Sequence, residues 1–304
     1  MAFVWPDDAR IAFGHAPVIG RHALHEGELA TDDGLIALLD AYPREHMGVY
    51  TFPPHAEGRV KARHGRAMDI SGEDLLNAVK TGQIWLNLRA VNRAVPAYSH
   101  LADTIFDPFE TATGQRTLKH DVGVLISSPG IHVHYHLDIP LVCLVQLRGT
   151  KTLNLYPPRA PFAEPDQIEA VALREREEDI TYRSAFESDV QTFELQPGEA
   201  ITWPQNAPHR VQNGDMMNVS LSCEFMTPTA LLRANAIYTN GVLRRSLNMA
   251  PRYPAAMGPG LVGRAVLARG LKAVRRKETA PVTPITFELD AKTGKVVDLE
   301  TAAQ

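Results

Sequence analysis

The chain has 304 residues, of which 44% are hydrophobic and 22% charged, a composition typical of one large soluble globular domain. No run approaches the roughly 18 apolar residues that a membrane span needs, and Asp7, Asp8 and Arg10 stand where a secretory signal peptide has its apolar stretch, so we expect a cytoplasmic protein. The two cysteines, Cys143 and Cys223, lie in apolar runs and offer neither a disulfide framework nor a zinc-ligand spacing.

Residues 1–120 are predicted to form a mixed helical and β elaboration of a core domain. Residues 32–42 (DDGLIALLDAY) predict a short amphipathic helix, and a capping-box variant at Ser71 opens a second helix through Lys80. Residues 83–89 (QIWLNLR) alternate as a strand does, and residues 96–105 predict another helix.

From about Asp121 the pattern changes to short β-runs separated by turn residues. The runs are VGVLI, HVHYH, LVCLVQL, KTLNLY, QTFEL, AITW, HRVQ and NVSLSCEF. Eight short strands without alternating helices indicate an antiparallel sandwich or jelly roll, not a parallel α/β sheet. We therefore assign residues 121–225 to a mainly β core, with a polar, acidic insert at 157–188 that we expect to be a surface loop with a helical turn.

The C-terminal region, residues 226–304, is predicted to be helical and basic, with helices at 229–247 and 261–277 and a hairpin at 285–299. Met226 to Lys277 contains ten Arg and Lys residues and no acid, whereas residues 164–194 contain ten acids and three Arg. This basic region could contact nucleic acid or an anionic membrane. We favour a helical element that packs on the core and on a second subunit of a homodimer, with its charge offset by the insert.

The segment GIHVHYHLD, residues 130–138, carries four side chains of the kind that bind metals: His132, His134, His136 and Asp138. In a regular strand these residues share one face, where desolvating them together without a cation or a hydrogen-bond network is costly. Another histidine, His209, follows in the segment WPQNAPHRVQN. Two histidines and one carboxylate offer the facial triad of non-haem Fe(II) oxygenases, which leaves three coordination positions open.

The segment HYHLDIPLVCLVQLRGTKTLNLYPP resembles the core of the JmjC-type, cupin-like hydroxylases that depend on Fe(II) and 2-oxoglutarate. Gly198, Pro204, His209 and Asn213 also match the second cupin motif, with Asn206 where that motif usually has Gly. The resemblance covers about a third of the chain and implies a double-stranded β-helix, the cupin or JmjC jelly roll. It implies that His136, Asp138 and His209 are the catalytic iron ligands, and that Lys151 binds the distal carboxylate of 2-oxoglutarate.

The sequence departs from the family pattern beside the expected 2-oxoglutarate site. Val133 stands where related hydroxylases often have Thr, and Val142 where some have Asn. We therefore expect Lys151 to share the carboxylate with other polar groups. The candidates are Thr152, Ser220 and Ser222, or Asn87 and Tyr98 from the N-terminal part.

Three functions remain open at this point. The favoured one is a dioxygenase that uses O2 and 2-oxoglutarate to hydroxylate a C–H bond of a protein side chain, a peptide or a small metabolite. His134-x-His136 also resembles the first motif of ordinary metal cupins, which would give a three-histidine enzyme, with His134, His136 and His209 as ligands, that does not use 2-oxoglutarate. The third is a non-catalytic cupin that binds a small ligand or regulates transcription.

Overall fold

The computed structural model describes residues 3–249, 251–252, 258–274, 283–290 and 293–299. The strands are β1 (Val18–Arg21), β2 (Met47–Thr51), β3 (Arg63–Arg66), β4 (Trp85–Leu88), β5 (Leu118–Ser127), β6 (His132–His136), β7 (Leu141–Arg148), β8 (Lys151–Leu155), β9 (Gln191–Leu195), β10 (Glu199–Thr202), β11 (His209–Asn213), β12 (Asn218–Met226), β13 (Ile285–Leu289) and β14 (Val296–Asp298). The α-helices are α1 (Ala9–Ala12), α2 (Asp32–Ala41), α3 (Gly72–Thr81), α4 (Val91–Ala94), α5 (Leu101–Thr113), α6 (Pro165–Ala172), α7 (Pro228–Leu247) and α8 (Pro259–Val274).

Strands β5 to β12 form a double-stranded β-helix. In the larger sheet β10, β7, β12 and β5 lie side by side, and the smaller sheet has the order β6-β11-β8-β9. All of these neighbouring strands pair antiparallel. The predicted jelly roll is therefore confirmed, and each of the eight β-runs named from the sequence coincides with one of these strands.

The larger sheet extends beyond the jelly roll on both sides. Strand β1 pairs with β10, and β4, β2 and β3 continue the sheet outward from β5. The predicted C-terminal hairpin is present as β13 and β14, although Lys292 in its turn lies outside the described residues, and β13 runs parallel to β3. Gly65 permits this contact, because a Cβ there would lie 2.2 Å from the ring of Phe287. Strands β1, β2 and β3 were not predicted from the sequence.

The predicted helices of both terminal regions are also confirmed. Helix α3 begins after Ser71, whose Oγ accepts a hydrogen bond from the backbone N–H of Asp74 at 3.1 Å. Helices α7 and α8 lie where the C-terminal periodicity placed them, with residues 275–277 of the second prediction outside the described part. None of the helices that the structure describes is both long enough and apolar enough to cross a bilayer.

The main hydrophobic core lies between the larger sheet and the helices of the N-terminal region. Helices α2, α3 and α5 contribute Leu38, Leu75 and Phe106 to it. Cys143 and Cys223 are direct partners on β7 and β12, are fully buried in this core, and are free thiols. Burial raises the pKa of both thiols, which makes them inert core residues.

The acidic insert is packed into the molecule and is not a solvated surface loop as expected. It contains the predicted helical turn, α6, but its apolar side chains are buried in a cluster with Tyr135 of β6 and with Tyr156. Its backbone also bonds to β6: the N–H of Leu137 donates to the carbonyl of Glu178 at 3.1 Å, and the N–H of Ile180 to that of Tyr135 at 3.3 Å. The physical reason is the set of apolar residues that interrupts the acidic sequence: Phe162, Ile168, Val171, Ile180 and Phe186.

Ion pairs join the insert to the basic C-terminal region. Glu169, which is 2% exposed, accepts a hydrogen bond from Arg244 at 2.7 Å, and Arg245 donates to Glu175 at 2.6 Å. The expected offset of basic charge by the insert is thus confirmed for these two arginines.

We expect Glu169→Gln to lower the free energy of unfolding by about 1.5–3 kcal/mol, the range for buried hydrogen bonds to charged groups. Glu175→Gln is the matched control, because the side chain of Glu175 is 33% exposed and a solvent-screened pair contributes less than about 1 kcal/mol. Urea unfolding followed by circular dichroism measures both values. Equal losses would contradict a special role for the buried pair.

Candidate functional site

Three side chains converge where β6 ends and β11 begins. His136 and His209 are direct partners across these two strands, and Asp138 follows two residues after His136. The ligand atoms of the three residues all lie within 4.8 Å of one another. The Nε2 of His209 is 3.5 Å from the nearer carboxylate oxygen of Asp138. The three residues that the sequence predicted as ligands are therefore brought together.

Backbone carbonyls orient both imidazole rings. The Nδ1 of His136 lies 2.7 Å from the carbonyl oxygen of His134, and the Nδ1 of His209 lies 3.1 Å from that of Ala207. Because a carbonyl can only accept, each Nδ1 carries the proton and each Nε2 presents a lone pair. This arrangement is typical of metal-binding histidines, whose second nitrogen is fixed by a hydrogen bond.

A turn before β11 holds the loop that carries Asp138. Asn206 adopts a left-handed backbone conformation with φ 63°, and its side-chain amide donates to the carbonyl of Asp138 at 2.7 Å. The neighbouring Gln205 donates to the carbonyl of Ile139 at 2.8 Å. Asn tolerates this conformation better than most residues, and unlike Gly it supplies a side chain. The departure from the cupin motif at Asn206 thus has a structural reason.

The electrostatics of the three residues fit a divalent cation. Burial raises the pKa of the Asp138 carboxyl, against an opposing effect of His136, and burial lowers the pKa of His209. A cation would restore the carboxylate and use the lone pairs of the neutral imidazoles. Two imidazole nitrogens and one carboxylate form a donor set that suits Fe(II) and related ions.

A β-bulge separates His132 and His134 from the site. His136 pairs with His209 but Val133 pairs with Val211, so β6 has one more residue than β11 over this stretch. Since β11 is regular along β8, Val133 lies on the same face as His136 and His132 lies on the opposite one. The expectation that four metal-type side chains share one face was therefore wrong.

His134 packs against the N-terminal region and not against the other two histidines of the site. Its ring centroid lies 5.4 Å from that of Phe52 and 6.0 Å from that of His55. In the described part of the chain, the group with metal-ligand spacing contains Asp138 and excludes His134. The geometry does not support a three-histidine ligand set.

Lys151 lies inside the jelly roll, as its position on β8 predicted. It is 4% exposed, and its Nζ donates to the Oγ of Ser220 at 2.6 Å. No carboxylate of the described residues forms an ion pair with it, and burial lowers the pKa of its ammonium to about 7. Lys151 pairs with Asn213, four residues from His209 along β11, which is about 13 Å of strand. A lysine side chain and a five-carbon dicarboxylate together can span that distance.

The other candidates for the 2-oxoglutarate site are distributed differently. Ser222 lies on the same inward face of β12 as Ser220, opposite Leu144. Thr152 pairs with Gln212 and Glu194, on the opposite face of β8 from Lys151, so the structure does not bring it to the lysine. Asn87 lines the cavity described next, whereas Tyr98 packs against the main core.

A cavity of about 810 Å³ lies in front of His136. Its lining is partly aromatic, with Tyr50, Phe52 and Trp85 from the N-terminal region, and partly charged, with Arg176, Glu177, Glu178 and Asp179 from the insert. Burial raises the pKa of the Glu178 carboxyl to about 8 and that of the Glu224 carboxyl to about 7. Sequence reasoning missed these wall residues, although the acidic run at 177–179 was visible and was interpreted only as a partner of the basic region.

Comparison with known proteins identified structural relatives only. The chain matches no protein-family profile and no curated protein sequence. It is similar to the X-ray structure of Escherichia coli YcfD, with a TM-score of 0.50 and 18% identity over 91% of this chain and 70% of that one. A second structure, of the "ribosomal oxygenase YcfD", gives a TM-score of 0.47 with 18% identity over 91% and 70%. A third, of YcfD with cobalt and 2-oxoglutarate, gives 0.45 with 17% identity over 90% and 68%. At this identity the first likeness shows a shared fold.

We expect Asp138→Ala to abolish binding of one Co(II) ion per chain and His134→Ala to preserve it within about twofold. The reason is that Asp138 belongs to the converging group and His134 does not. Isothermal titration calorimetry under anaerobic conditions measures both. Retention of Co(II) by the Asp138 variant and its loss from the His134 variant would restore the three-histidine set.

Proposed function

We propose that this chain is an Fe(II)- and 2-oxoglutarate-dependent oxygenase that hydroxylates a C–H bond of its substrate. One observation carries the proposal: His136, Asp138 and His209 converge at one end of a jelly roll whose interior also holds the buried, anion-free Lys151. A metal cupin that did not use a dicarboxylate would have no reason to desolvate that ammonium.

In this proposal His136, Asp138 and His209 hold the metal on one face and leave its other positions open. When bound, the iron and 2-oxoglutarate together supply the oxidising chemistry, in which O2, 2-oxoglutarate and R–H yield succinate, CO2 and R–OH. Lys151 would bind the distal carboxylate, with Ser220 sharing it, and so aim the keto-acid end at the metal. Ser222 lies on the face of β12 between them and would be the next contact.

The primary substrate would enter from the cavity that His136 lines. The lining of that cavity does not include Lys151, Ser220 or Ser222, so the cosubstrate and the substrate would contact different side chains. The aromatic side chains of its wall would exclude water from the reacting C–H bond.

Contact between two copies of the chain through α7 and α8 stays a prediction, which sedimentation velocity of the full chain would decide.

The proposal is tested with anaerobic protein loaded with Fe(II). We expect a weak visible charge-transfer band that forms only when 2-oxoglutarate is added, followed by slow conversion to succinate in air. Absorption spectroscopy and mass spectrometry measure the two events. A protein that binds Fe(II) but shows neither band nor succinate would contradict the proposal.

We expect the affinity for 2-oxoglutarate to fall as the pH rises above 7. Burial lowers the pKa of Lys151 to about 7, so the cation is present below that pH and is lost above it, by up to tenfold per pH unit. Titration of the Fe(II) band between pH 6 and 9 measures the apparent Kd. Lys151→Met should weaken binding at pH 6.5 by at least tenfold and remove the pH dependence, whereas the exposed Lys119→Met should change neither. The same pH dependence in the Lys151 variant would exclude this lysine as its cause.

A further inference from the structure

Three polar side chains in the wall of the cavity carry polar atoms that make no hydrogen bond of normal geometry with the described residues. His134 is 6% exposed, and neither of its ring nitrogens makes a hydrogen bond of normal geometry, although the backbone of Pro53 lies close enough to act on the pKa of the ring. The Nη1 of Arg176 is buried and also unbonded. The carboxyl of Glu178 is half-buried and forms no hydrogen bond and no ion pair with any residue that the structure describes, although the charge of Arg89 acts on its pKa. Buried polar groups without partners are rare in folded proteins, and their occurrence together indicates a ligand site.

The other acids of the wall each have a partner, which distinguishes Glu178 from them. Glu224 accepts two hydrogen bonds from Arg89, at 2.9 and 3.0 Å, and Asp121 pairs with Arg93 at 3.0 Å. Asp179 pairs with Arg59, and Glu177 lies 3.4 Å from the Nε2 of His64. Arg174, also in the wall, is exposed to solvent, where a charge needs no partner. Among these half-buried wall residues, Glu178 and Arg176 are left without an ion-pair partner in the described part of the chain.

Arg176 and Glu178 are held close to the metal centre. They lie two residues apart in the irregular segment of the insert that follows α6, and both line the cavity. The carbonyl of Glu178 accepts a hydrogen bond from the N–H of Leu137, the residue between the two ligands His136 and Asp138. The nearby charge of Asp138 also contributes to raising the pKa of Glu178. A molecule held by this segment would therefore lie beside the metal.

We infer that the cavity binds a small zwitterion, an α-amino acid with its free ammonium and carboxylate, as the primary substrate of the proposed oxygenase. Arg176 would bind the carboxylate, Glu178 would bind the ammonium, and His134 would make a hydrogen bond. This inference rests on the proposed function and names its substrate class. A ligand with a carboxylate alone would leave the Glu178 carboxyl without a hydrogen-bond partner, and one with an ammonium alone would leave the buried Nη1 of Arg176 without one. An internal residue of a peptide has neither charge on its backbone.

The size and the lining of the cavity agree with such a ligand. Its volume of about 810 Å³ falls within the range of roughly 300–1,000 Å³ for small-molecule sites. Tyr50 and Trp85, whose ring centroids are 4.9 Å apart, give the wall of the cavity an apolar surface as well. That surface would pack against the side chain of the amino acid.

The test uses the full chain loaded with Co(II) and 2-oxoglutarate and measures binding by saturation-transfer NMR and by tryptophan fluorescence. The probes are the twenty proteinogenic L-amino acids, each compared with its N-acetyl, N-methylamide derivative, which lacks both backbone charges. We expect at least one free amino acid to bind at least tenfold more tightly than its capped derivative. Arg176→Gln and Glu178→Gln should each weaken that binding at least tenfold, whereas the exposed Arg183→Gln and Glu164→Gln should not change it.

The inference is overturned if no free amino acid binds, if a capped derivative binds as tightly as the free one, or if both cavity variants bind as the unaltered chain does. None of these outcomes depends on turnover. The charge-transfer band of the unaltered protein separately reports on iron and 2-oxoglutarate. A protein that forms the band but ignores free amino acids would therefore retain the proposed function and lose only this substrate class.

Discussion

The pairing of His136 with His209 across β6 and β11 is the constraint on which the rest of the site depends. It places two imidazoles at the end of the smaller sheet with ring centroids 4.1 Å apart, next to a desolvated carboxyl. Burying these three polar side chains together is unfavourable unless their hydrogen bonds are formed and their charges are paired. The carbonyls of His134 and Ala207 orient the rings, and Asn206 holds the backbone of Asp138. The Nε2 lone pairs of the two histidines and the carboxylate oxygens of Asp138 converge, and a divalent cation would bind all three.

The core of the fold was predictable because its strands are encoded locally. The eight runs of the jelly roll carry enough alternating or apolar residues to be recognised without their neighbours. Of the strands that extend the larger sheet, β4 and the β13–β14 hairpin were recognisable as well, but β1, β2 and β3 were not. Strand β3 has the sequence RHGR and β1 has VIGR, each only four residues long. They are strands because neighbouring edges supply hydrogen bonds, and such long-range pairing leaves no pattern in a short segment.

The functional site likewise has a part that could be predicted from the sequence and a part that could not. The ligands and Lys151 were found because they lie in two compact motifs and follow the order of the strands. The bulge near His134 was not found, because it inserts one residue into β6 without a glycine or proline to mark it. As a result, every side chain of β6 before the bulge lies on the opposite face from the one that the sequence predicted. The cavity wall was also missed, because Tyr50, Trp85 and Glu178 come from distant parts of the chain and meet only in the folded molecule.

The contact between the insert and β6 has a consequence for solubility. In the order of the smaller sheet β6 is an outer strand, and its free backbone groups would be a template for pairing with another chain. Residues 178–180 take up two of those groups, and Gly58 and Tyr182 exchange backbone hydrogen bonds beside them. The segment that lines the cavity thus also covers the exposed edge of β6. Shortening the insert would expose an aggregation-prone edge strand that carries His136, so one deletion would cause both loss of activity and aggregation.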